Sequence, residues 1–251
     1  MTLVDKKLFK EAHYLGRPAD FDTKFIKWRV DFLKEEKDFL ANNLTLIDIG
    51  CGNGATIFGI ANNFKKCLGV DINDDHLPAF NAYKTDQKIE NCSFEVLDLE
   101  KDSKNEKFDR LTSFEVIEHL KDDNSVSKML NLLKDDGMAI FSVPNKWWIF
   151  ETHGASLPFL PWNRVPFFSW LPTFIHEKFA NARIYTKARI RKVLENNGFE
   201  VLEMRYMTAP MDVLKKDTIL KRFLTNYIFK TKETAIPFLA VSIYIKAIKK
   251  K

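Results

Sequence analysis

Asp48-Ile49-Gly50-Cys51-Gly52-Asn53-Gly54 is the most informative segment of the chain. It follows the short apolar run Leu44-Thr45-Leu46-Ile47, which is typical of a strand, and it precedes a helix pattern that ends near Asn63. Glycines between a strand and a helix let the backbone turn tightly and approach a ligand that larger side chains would exclude. The segment therefore predicts a βαβ unit with a ligand at its first turn.

The position of a second carboxylate narrows the kind of ligand. Asp71 stands about twenty residues past Gly50, at the end of the next predicted strand, where a carboxylate accepts hydrogen bonds from ribose hydroxyls. A dinucleotide remains an option, because residues 50–55 match the pattern G-x-G-x-x-A and a helix N-terminus binds pyrophosphate. Asp48, however, would repel a pyrophosphate, whereas it suits the ammonium group of S-adenosylmethionine, which carries no phosphate.

Short apolar runs alternate with helix patterns on both sides of this turn. The predicted strands are 44–49, 67–71, 93–97, 109–114, 138–143, 199–206 and 238–245. The predicted helices lie at about 75–84, 119–133, 186–197 and 212–229. Strands that alternate with helices are typical of parallel βαβ units, so the pattern predicts an α/β fold with a doubly wound sheet.

Composition excludes several functional classes. Lys and Arg number 39 against 34 Asp and Glu, a net charge of +5, which is too small an excess for a dedicated nucleic-acid binder. The three cysteines, Cys51, Cys67 and Cys92, lack Cys-x-x-Cys spacing, which argues against a disulfide scaffold or a zinc module. We find no signal-peptide pattern and no apolar run near the ~18–20 residues of a transmembrane helix, so we expect a cytoplasmic protein.

Four separated motifs resemble those of the class I S-adenosylmethionine-dependent methyltransferases. Residues 48–54 resemble the first motif, Gly69-Val70-Asp71-Ile72 the second-strand motif, Val96-Leu97-Asp98-Leu99 the adenine segment, and residues 132–138 the turn before the fifth strand. The resemblance implies a seven-stranded, Rossmann-like sheet whose last strand is antiparallel. It also implies that Asp71 holds the ribose and that Asp98 lies near the adenine amine.

Within this family, residues 108–120 and Ser142-Val143-Pro144-Asn145 most resemble the ubiquinone-pathway O-methyltransferase group, of the methyltransferase type 11/12 kind. In that group, the residue before the first glutamate contacts the cofactor, which here is Phe114. An N-terminal arginine reaches the methionine carboxylate, and Arg29 is the candidate, although a solvated helix face explains it equally well. The cofactor-binding residues expected on this basis are Arg29, Asp48, Gly50, Cys51, Gly52, Gly54, Asp71, Ile72, Asp98, Leu99 and Phe114.

The pattern Glu115-x-x-Glu118-His119 follows the predicted fourth strand. A helix that began there would place these three side chains on one face, where they suit a divalent cation. An alcohol or phenol that accepts a methyl group must also lose a proton.

We therefore predict Glu118 and His119 as catalytic residues, and Glu115, Glu118 and His119 as ligands of a divalent cation such as Mg²⁺. In the ubiquinone-pathway group, and in small-RNA 2′-O-methyltransferases, this arrangement binds a metal, whereas in many other class I enzymes it serves packing or capping. His153 and His176 are candidates for a further ligand.

We predict one domain, residues 1–251, in four parts. Residues 1–43 form an N-terminal helical lid, 44–143 the cofactor-binding core, 144–185 an insertion, and 186–251 the rest of the sheet. The insertion is rich in proline and aromatic residues, and it follows the fifth strand, beyond which ligands of doubly wound sheets bind. We expect it to be the acceptor lid, and its rings favour an apolar or ring-bearing acceptor.

The expected function is methyl transfer from S-adenosylmethionine to an oxygen of a small or lipid-like acceptor. The alternatives are an RNA methyltransferase, a non-catalytic cofactor-binding scaffold and an NAD-dependent oxidoreductase. The predicted helix 212–229 has lysines between apolar residues, as in helices that lie on anionic membranes, although a core-packed surface helix has the same pattern. Peripheral membrane contact is therefore an option, nucleic acid is not favoured, and the acceptor and the oligomeric state stay open.

Overall fold

A computed structural model describes residues 19–157, 165–211 and 218–250. The strands are β1 (Thr45–Ile49), β2 (Lys66–Asp71), β3 (Cys92–Val96), β4 (Phe108–Phe114), β5 (Leu133–Pro144), β6 (Phe199–Thr208) and β7 (Ala240–Lys249). The α-helices are α1 (Lys24–Glu35), α2 (Leu77–Asp86), α3 (Ser127–Asn131), α4 (Thr173–Phe179), α5 (Lys187–Asn196) and α6 (Ile219–Phe223).

The seven strands form one sheet in the order β3-β2-β1-β4-β5-β7-β6. Strands β1 to β5 pair in parallel, and β7 runs antiparallel between β5 and β6. The predicted doubly wound, Rossmann-like sheet with an antiparallel last strand is confirmed. The strand order reverses between β1 and β4, and the carboxyl ends of strands at such a switch point are where ligands bind in sheets of this kind.

Apolar side chains cover both faces of the sheet. Successive residues of a strand point to opposite faces, and Leu46 and Ile47 of β1 accordingly lie in two different core clusters, both fully buried. Leu194 of α5 belongs to the same core cluster as Ile47, whereas Phe32 of α1 belongs to the cluster that contains Leu46. The sheet is therefore shielded on both sides, and its edge at the strand ends is the place left for a ligand.

The N-terminal helix α1 packs against the antiparallel strand. It begins after Thr23, whose Oγ1 accepts a hydrogen bond from the Ile26 amide at 3.3 Å, and such a cap satisfies a backbone donor at the helix start. The ring of Phe32 stacks on Tyr244 of β7 with centroids 4.8 Å apart. Of the predicted N-terminal lid, residues 1–18 lie outside the described residues.

Two predicted helices are shorter than the sequence pattern indicated. The segment after the glycine turn forms two short 3₁₀ helices, Ile57–Gly59 and Ala61–Asn63, in place of a continuous α-helix. Its β-branched residues, its glycine and its asparagines are weak helix formers. The predicted helix 119–133 is likewise a 3₁₀ turn, Asp123–Val126, followed by the five residues of α3.

The insertion leaves the sheet at Pro144 and returns beside the first turn after β4. Asn145 fixes its start, because Nδ2 donates to the backbone oxygens of Pro237 and Ala240 at 2.7 and 2.8 Å. Two bridges, between Phe150 and Pro166 and between Ala155 and Ala180, pair its outgoing and returning parts. Its residues 158–164, which include Pro158, Phe159, Pro161 and Trp162, lie outside the described residues.

The predicted amphipathic helix 212–229 is described only in part. Residues 212–217 lie outside the described residues, and the remainder is α6 followed by a π-helical turn, Leu224–Ile228. Within the described ranges, no helix has the length and apolar character needed to cross a membrane.

Candidate active site

A cavity of about 320 Å³ opens at the carboxyl ends of β1, β2 and β4. All the residues that the sequence predicted for cofactor binding line it, with the exception of Gly54. Its wall also contains residues to which the sequence assigned no cofactor role, namely Ala19, Ile26, Ile49, Asn53, Ala55, Thr56, Val70, His76, Leu97, Glu100, Glu115, Val116, His119, Leu120 and His153. The cavity thus lies where the strand order reverses, as expected for this fold.

The glycine turn closes tightly against its neighbours. Gly50 and Gly54 have φ angles of +69° and +85°, in the left-handed region that glycine adopts without steric cost. A Cβ at Gly50 would lie 2.3 Å from Cγ2 of Val116, and one at Gly54 would lie 2.4 Å from the ring of Phe58. Gly54 therefore allows the turn to pack against Phe58, outside the cavity lining. Gly50 allows the turn to pack against Val116, which lines the cavity.

Asp48 is a buried carboxylate at the end of β1. It is 2% exposed, and its Oδ1 accepts a hydrogen bond from Thr112 Oγ1 at 2.7 Å. Burial raises the pKa of Asp48 to about 7, against the opposing effects of the Thr112 hydroxyl and the Arg29 charge. A buried acid with unused acceptor capacity gains from a cationic donor, and an ammonium group in the cavity would provide one.

Arg29 brings a guanidinium to the same cavity from α1. Its side chain lies between the rings of Phe25 and Phe114, at 4.5 and 4.7 Å from the centroids, and the residue is 8% exposed. Burial lowers the pKa of Arg29, while the charges of Glu115 and Asp48 raise it, and arginine stays cationic. Its Nε has no hydrogen-bond partner within the described part of the chain, which leaves a donor for a carboxylate.

Asp71 and Asp98 differ in how much of their hydrogen-bonding capacity is used. Asp71 accepts the amides of Gly52 and Ile72, both at 2.8 Å, so it also braces the glycine turn. Asp98 accepts the Glu100 amide at 2.9 Å and pairs with Lys101 at 2.7 Å. The Lys101 ammonium lowers the pKa of Asp98. Each carboxylate oxygen has two lone pairs, so both residues can accept a further bond from a ligand.

Asn53 is a site residue that the sequence analysis did not identify. It is 1% exposed, and its Nδ2 donates to the backbone oxygen of Ala19 at 2.7 Å. Ala19 and Asn53 both line the cavity, so this bond draws the segment before α1 over the glycine turn. An asparagine inside the glycine turn is a weak signal, because its partner is far away along the chain.

The second group of candidate residues lies in the 3₁₀ turn Ile117–His119. Glu118 is 2% exposed, and neither carboxylate oxygen has a hydrogen-bond partner among the described residues. Nε2 of His153, in the insertion, lies 3.5 Å from Glu118 Oε1. Burial, followed by the charge of Glu115, raises the pKa of Glu118 well above its ordinary value.

His119 completes this cluster. Its ring lies 5.0 Å from that of His153, in an edge-to-face arrangement, and both histidines line the cavity. Burial, reinforced by His153 and Arg183, lowers the pKa of His119 to about 4. One ligand atom each from Glu118, His119 and His153 lie within 4.8 Å of one another, so the three could hold a metal ion.

Of the predicted ligand set, Glu115 lies outside the cluster that Glu118 and His119 form with His153. No helix begins at Glu115, which has a left-handed φ of +57°, and the 3₁₀ turn starts only at Ile117. Glu115 Oε1 instead accepts the hydroxyls of Ser142 and Ser242, at 2.7 and 2.9 Å. His153 takes its place in the cluster.

The other candidate ligand, His176, lies apart from the cluster. It is completely buried, and its Nε2 lies 2.5 Å from Oε2 of Glu151 within the insertion. Arg183, which the sequence analysis missed, binds the turn itself by donating to the backbone oxygens of Ile117 and Leu120 at 2.7 and 2.6 Å. No sequence motif marks this contact, because it depends on where the insertion returns.

The sheet is doubly wound, and a nucleoside-sized cavity lies at its switch point. A buried acid and a buried arginine face that cavity. These features are typical of a Rossmann-like cofactor-binding protein. A family model described as a methyltransferase domain matches residues 40–198. The chain belongs to this family, and the resemblance to the class I S-adenosylmethionine-dependent methyltransferases is confirmed.

Individual relatives are distant. The (S)-coclaurine N-methyltransferase of Papaver somniferum is 30% identical over 106 residues, which cover 41% of this chain and 30% of that enzyme. The ubiquinone biosynthesis O-methyltransferase of Pelagibacter ubique is 28% identical over 162 residues, 61% of this chain and 62% of that enzyme. The chain thus spans less than two thirds of the length of these curated relatives.

The fold has a solved counterpart across nearly the whole chain. The crystal structure of an S-adenosylmethionine-dependent methyltransferase from Clostridium acetobutylicum covers 92% of this chain and 94% of its own, with a TM-score of 0.60 and 14% identity. At this identity, the likeness concerns the fold.

Proposed function

We propose that this protein transfers a methyl group from S-adenosylmethionine to an oxygen of a small or lipid-like acceptor. The observation that carries the proposal is the convergence of Arg29 and Asp48 on one cavity beside the glycine turn. A guanidinium whose Nε has no hydrogen-bond partner among the described residues, together with a buried carboxylate, matches the carboxylate and the ammonium of an amino-acid end. A dinucleotide offers no such pair of charges, and its pyrophosphate would meet Asp48.

The bound cofactor supplies an electrophilic methyl group on a sulfonium. In this proposal Arg29 binds its carboxylate, Asp48 its ammonium, and Asp71 its ribose hydroxyls. Asp98 accepts a hydrogen bond from the adenine amine and keeps its ion pair with Lys101. The remaining predicted residues, Gly50, Cys51, Gly52, Ile72, Leu99 and Phe114, provide the close walls that orient the methyl group, and Gly54 acts through the shape of the turn.

Glu118 and His119 are the proposed catalytic residues. His119 faces the cavity, and its lowered pKa keeps the imidazole neutral near pH 7, so a ring nitrogen can accept the proton that an acceptor hydroxyl loses. Glu118 lies in the same cluster, with Oε1 3.5 Å from Nε2 of His153, and in this proposal its carboxyl group orients that imidazole. His153 places a second imidazole beside His119, where it can share the proton from the acceptor hydroxyl.

The same cluster also fits a divalent cation. A fully buried carboxylate without a hydrogen-bond partner, next to two imidazoles, gains from a cation. One carboxylate and two imidazoles suit Zn²⁺ or a similar ion, whereas Mg²⁺ prefers oxygen ligands. We therefore propose Glu118, His119 and His153 as the ligands and Zn²⁺ in place of Mg²⁺; such an ion would stabilise a developing negative charge on the acceptor oxygen.

The insertion is the proposed acceptor lid of a single domain. It delivers His153 to the cavity wall and Arg183 to the catalytic turn, and the chain then re-enters the same sheet as β6 and β7. Exposed rings of this segment, Phe150 and Phe167 among them, support an apolar or ring-bearing acceptor.

Calorimetric titration of the purified protein tests the cofactor first. We expect micromolar binding of S-adenosylmethionine and of its demethylated product, and no heat with NAD. Binding of NAD alone would overturn the proposal and favour an oxidoreductase.

Repeating the titration after EDTA, and again with Zn²⁺ or Mg²⁺, tests the cation. A heat of Zn²⁺ binding that is lost in Glu118→Gln but kept in Glu115→Gln would support the proposed ligand set of Glu118, His119 and His153.

Transfer of a labelled methyl group tests the reaction. We expect turnover with 3,4-dihydroxybenzoate, an oxygen acceptor, and less with 1,2,3,4-tetrahydroisoquinoline, a nitrogen acceptor. The reverse order would assign N-methylation. Labelling of total RNA would assign the nucleic-acid alternative, and cofactor binding without methylation of any of these probes would favour a scaffold.

A membrane contact is proposed at α6 and the turn that follows it. Ile219, Leu220 and Tyr227 are 89%, 65% and 75% exposed, and Lys221 and Arg222 stand between them. Exposed apolar residues with adjacent basic groups suit an anionic lipid surface. We expect cosedimentation with vesicles that contain phosphatidylglycerol, reduced in Ile219→Ser/Leu220→Ser. The control is Leu202→Ser, which removes a 47% exposed leucine from β6; equal loss in both variants, or no cosedimentation of the wild type, would refute the contact.

A further inference from the structure

A buried acid–imidazole pair inside the insertion has no role in the chemistry described so far. Oε2 of Glu151 lies 2.5 Å from Nε2 of His176 of α4, and both side chains are completely inaccessible to solvent. Removing such groups from water is costly unless their hydrogen bonds are satisfied. A pair of this kind in a loop segment calls for an explanation beyond packing.

The second oxygen of Glu151 connects the pair to the catalytic cluster. Oε1 accepts the backbone amide of His153 at 3.0 Å. The Glu151 carboxylate thus connects His176 of α4 with the backbone of His153, and the side chain of His153 lies next to Glu118. The peptide oxygen of His153 is held as well, because Asn181 Nδ2 donates to it at 3.0 Å.

Among the described residues, the ring of His153 has one hydrogen bond, at Nδ1, and its other nitrogen faces Glu118. Nδ1 lies 3.0 Å from the Thr152 hydroxyl, and Nε2 lies 3.5 Å from Oε1 of Glu118. His153 belongs to no helix or strand of the sheet, so neither element fixes its backbone. Without an anchor, ordering this side chain would cost conformational entropy at every turnover.

We propose that Glu151 and His176 are positioning residues that hold His153 with its Nε2 directed at Glu118 and the cavity. The inference rests on the proposed function for its catalytic meaning, and the placement of His153 is measurable without it. Groups that orient a ligand or a base from behind typically change affinity or activity by about 10–100-fold when they are removed. The rigidity of the site thus depends on a bond formed within the insertion.

The test compares three variants. His176→Leu removes the donor and leaves Glu151 buried without it, whereas His176→Gln keeps an N–H for Oε2 and should behave as a rescue. Ser169→Ala is the matched control, because it removes another buried hydrogen bond of the insertion, from Ser169 Oγ to the Trp148 oxygen at 2.6 Å, without touching Glu151 or His153. Glu151→Gln, which keeps an oxygen for the His153 amide, is a second probe if His176→Leu does not fold.

Imidazole ¹⁵N NMR of the full-length protein reads the placement directly. We expect one defined tautomer of His153 in the wild type, in His176→Gln and in Ser169→Ala, and averaged ring-nitrogen shifts in His176→Leu, with His76 unchanged in all four proteins. For turnover of 3,4-dihydroxybenzoate, we expect kcat to fall about 10–100-fold in His176→Leu, with cofactor Kd within about twofold.

The outcomes are separable. Unchanged His153 signals in His176→Leu, or the same averaging in Ser169→Ala, would overturn the positioning role. Averaging in His176→Leu together with no cofactor binding by the wild type would leave the positioning role intact and refute the proposed function instead.

Discussion

The hydroxyl of Thr112 donates a 2.7 Å hydrogen bond to Oδ1 of Asp48 across the parallel pair of β1 and β4. The two residues are partners in the register of those strands, and they are 0% and 2% exposed. The central pair of strands at the switch point therefore fixes the carboxylate that we assign to the cofactor ammonium.

Removing this hydroxyl should weaken cofactor binding. In Thr112→Val the Asp48 carboxylate loses the hydrogen bond that lowers its pKa, so less of it is ionised near pH 7, and we expect Kd for S-adenosylmethionine to rise by up to about tenfold for each unit by which the pKa increases. Calorimetry measures it. Ser113→Ala, one residue along the same strand, is the control; an equal loss there would show that disturbance of β4, rather than the hydrogen bond, is responsible.

The pH dependence of stability should carry the signature of Asp48. Its folded-state pKa of about 7 exceeds the ordinary value of 3.8, so the folded protein binds the proton more tightly than the unfolded chain does. The contribution of the protonated group is therefore present below pH 4 and is lost as the pH rises towards 7, by up to about 4 kcal/mol. Urea unfolding from pH 5 to 8 should show this loss in the wild type and a flatter profile in Asp48→Asn.

Cofactor affinity should have the opposite pH dependence, because only the ionised carboxylate pairs with the ammonium. Kd measured between pH 6 and 8 should fall as the pH rises. A pH-independent Kd would show that Asp48 does not contact a charged group of the cofactor.

Arg29 should matter only to ligands that carry a carboxylate. We expect Arg29→Ala to raise Kd for S-adenosylhomocysteine about 10–100-fold, since a charged hydrogen-bonded pair is lost. Kd for 5′-methylthioadenosine, which lacks the amino-acid end, should change little. Equal losses for both ligands would mean that Arg29 supports the Phe25 and Phe114 rings and does not bind the carboxylate.

A larger residue at position 69 should clash with Cys51. A Cβ at Gly69 would lie 2.7 Å from Sγ of Cys51, and Cys51 lines the cavity, so Gly69→Ala would displace a residue of the cavity wall. We expect a stability loss of about 1–3 kcal/mol and weaker cofactor binding. Gly69→Ala/Cys51→Ala should recover most of both in urea unfolding and calorimetry; a double variant as weak as the single one would contradict this steric account.

Arg183 should affect the reaction more than cofactor binding. Arg183→Ala releases the backbone oxygens of Ile117 and Leu120, and we expect a lower kcat with cofactor Kd within about twofold, together with about 1–3 kcal/mol of lost stability. Arg191→Ala, on the exposed side of α5, is the control. An unchanged kcat at saturating acceptor would show that the turn keeps its shape without Arg183.

The fold could be predicted from the sequence because its determinants are local. Residues 48–54 join a strand to a turn, and Asp71 ends the next strand at a fixed distance along the chain, so periodicity and glycine placement locate the cavity. The helix after the turn was overestimated, because apolar spacing does not distinguish an α-helix from two 3₁₀ turns.

The candidate catalytic cluster could be predicted only in part. Glu118 and His119 stand in a motif, but the direction of Glu115 depends on a backbone angle that non-glycine residues rarely adopt. His153 and Arg183 reach the cluster because the insertion folds back on itself, and no spacing in the sequence records that closure.

His153 belongs to the insertion, whereas Glu118 and His119 belong to the segment that follows β4. The insertion, which we propose as the acceptor lid, and the cofactor-binding core therefore both contribute side chains to one cluster. Grafting a different insertion onto this sheet, to change the acceptor, would delete an imidazole together with its anchors Glu151 and His176. Any transplanted loop must place a histidine of its own at the position of His153. A change in acceptor specificity and a change in reactivity are therefore expected to occur together.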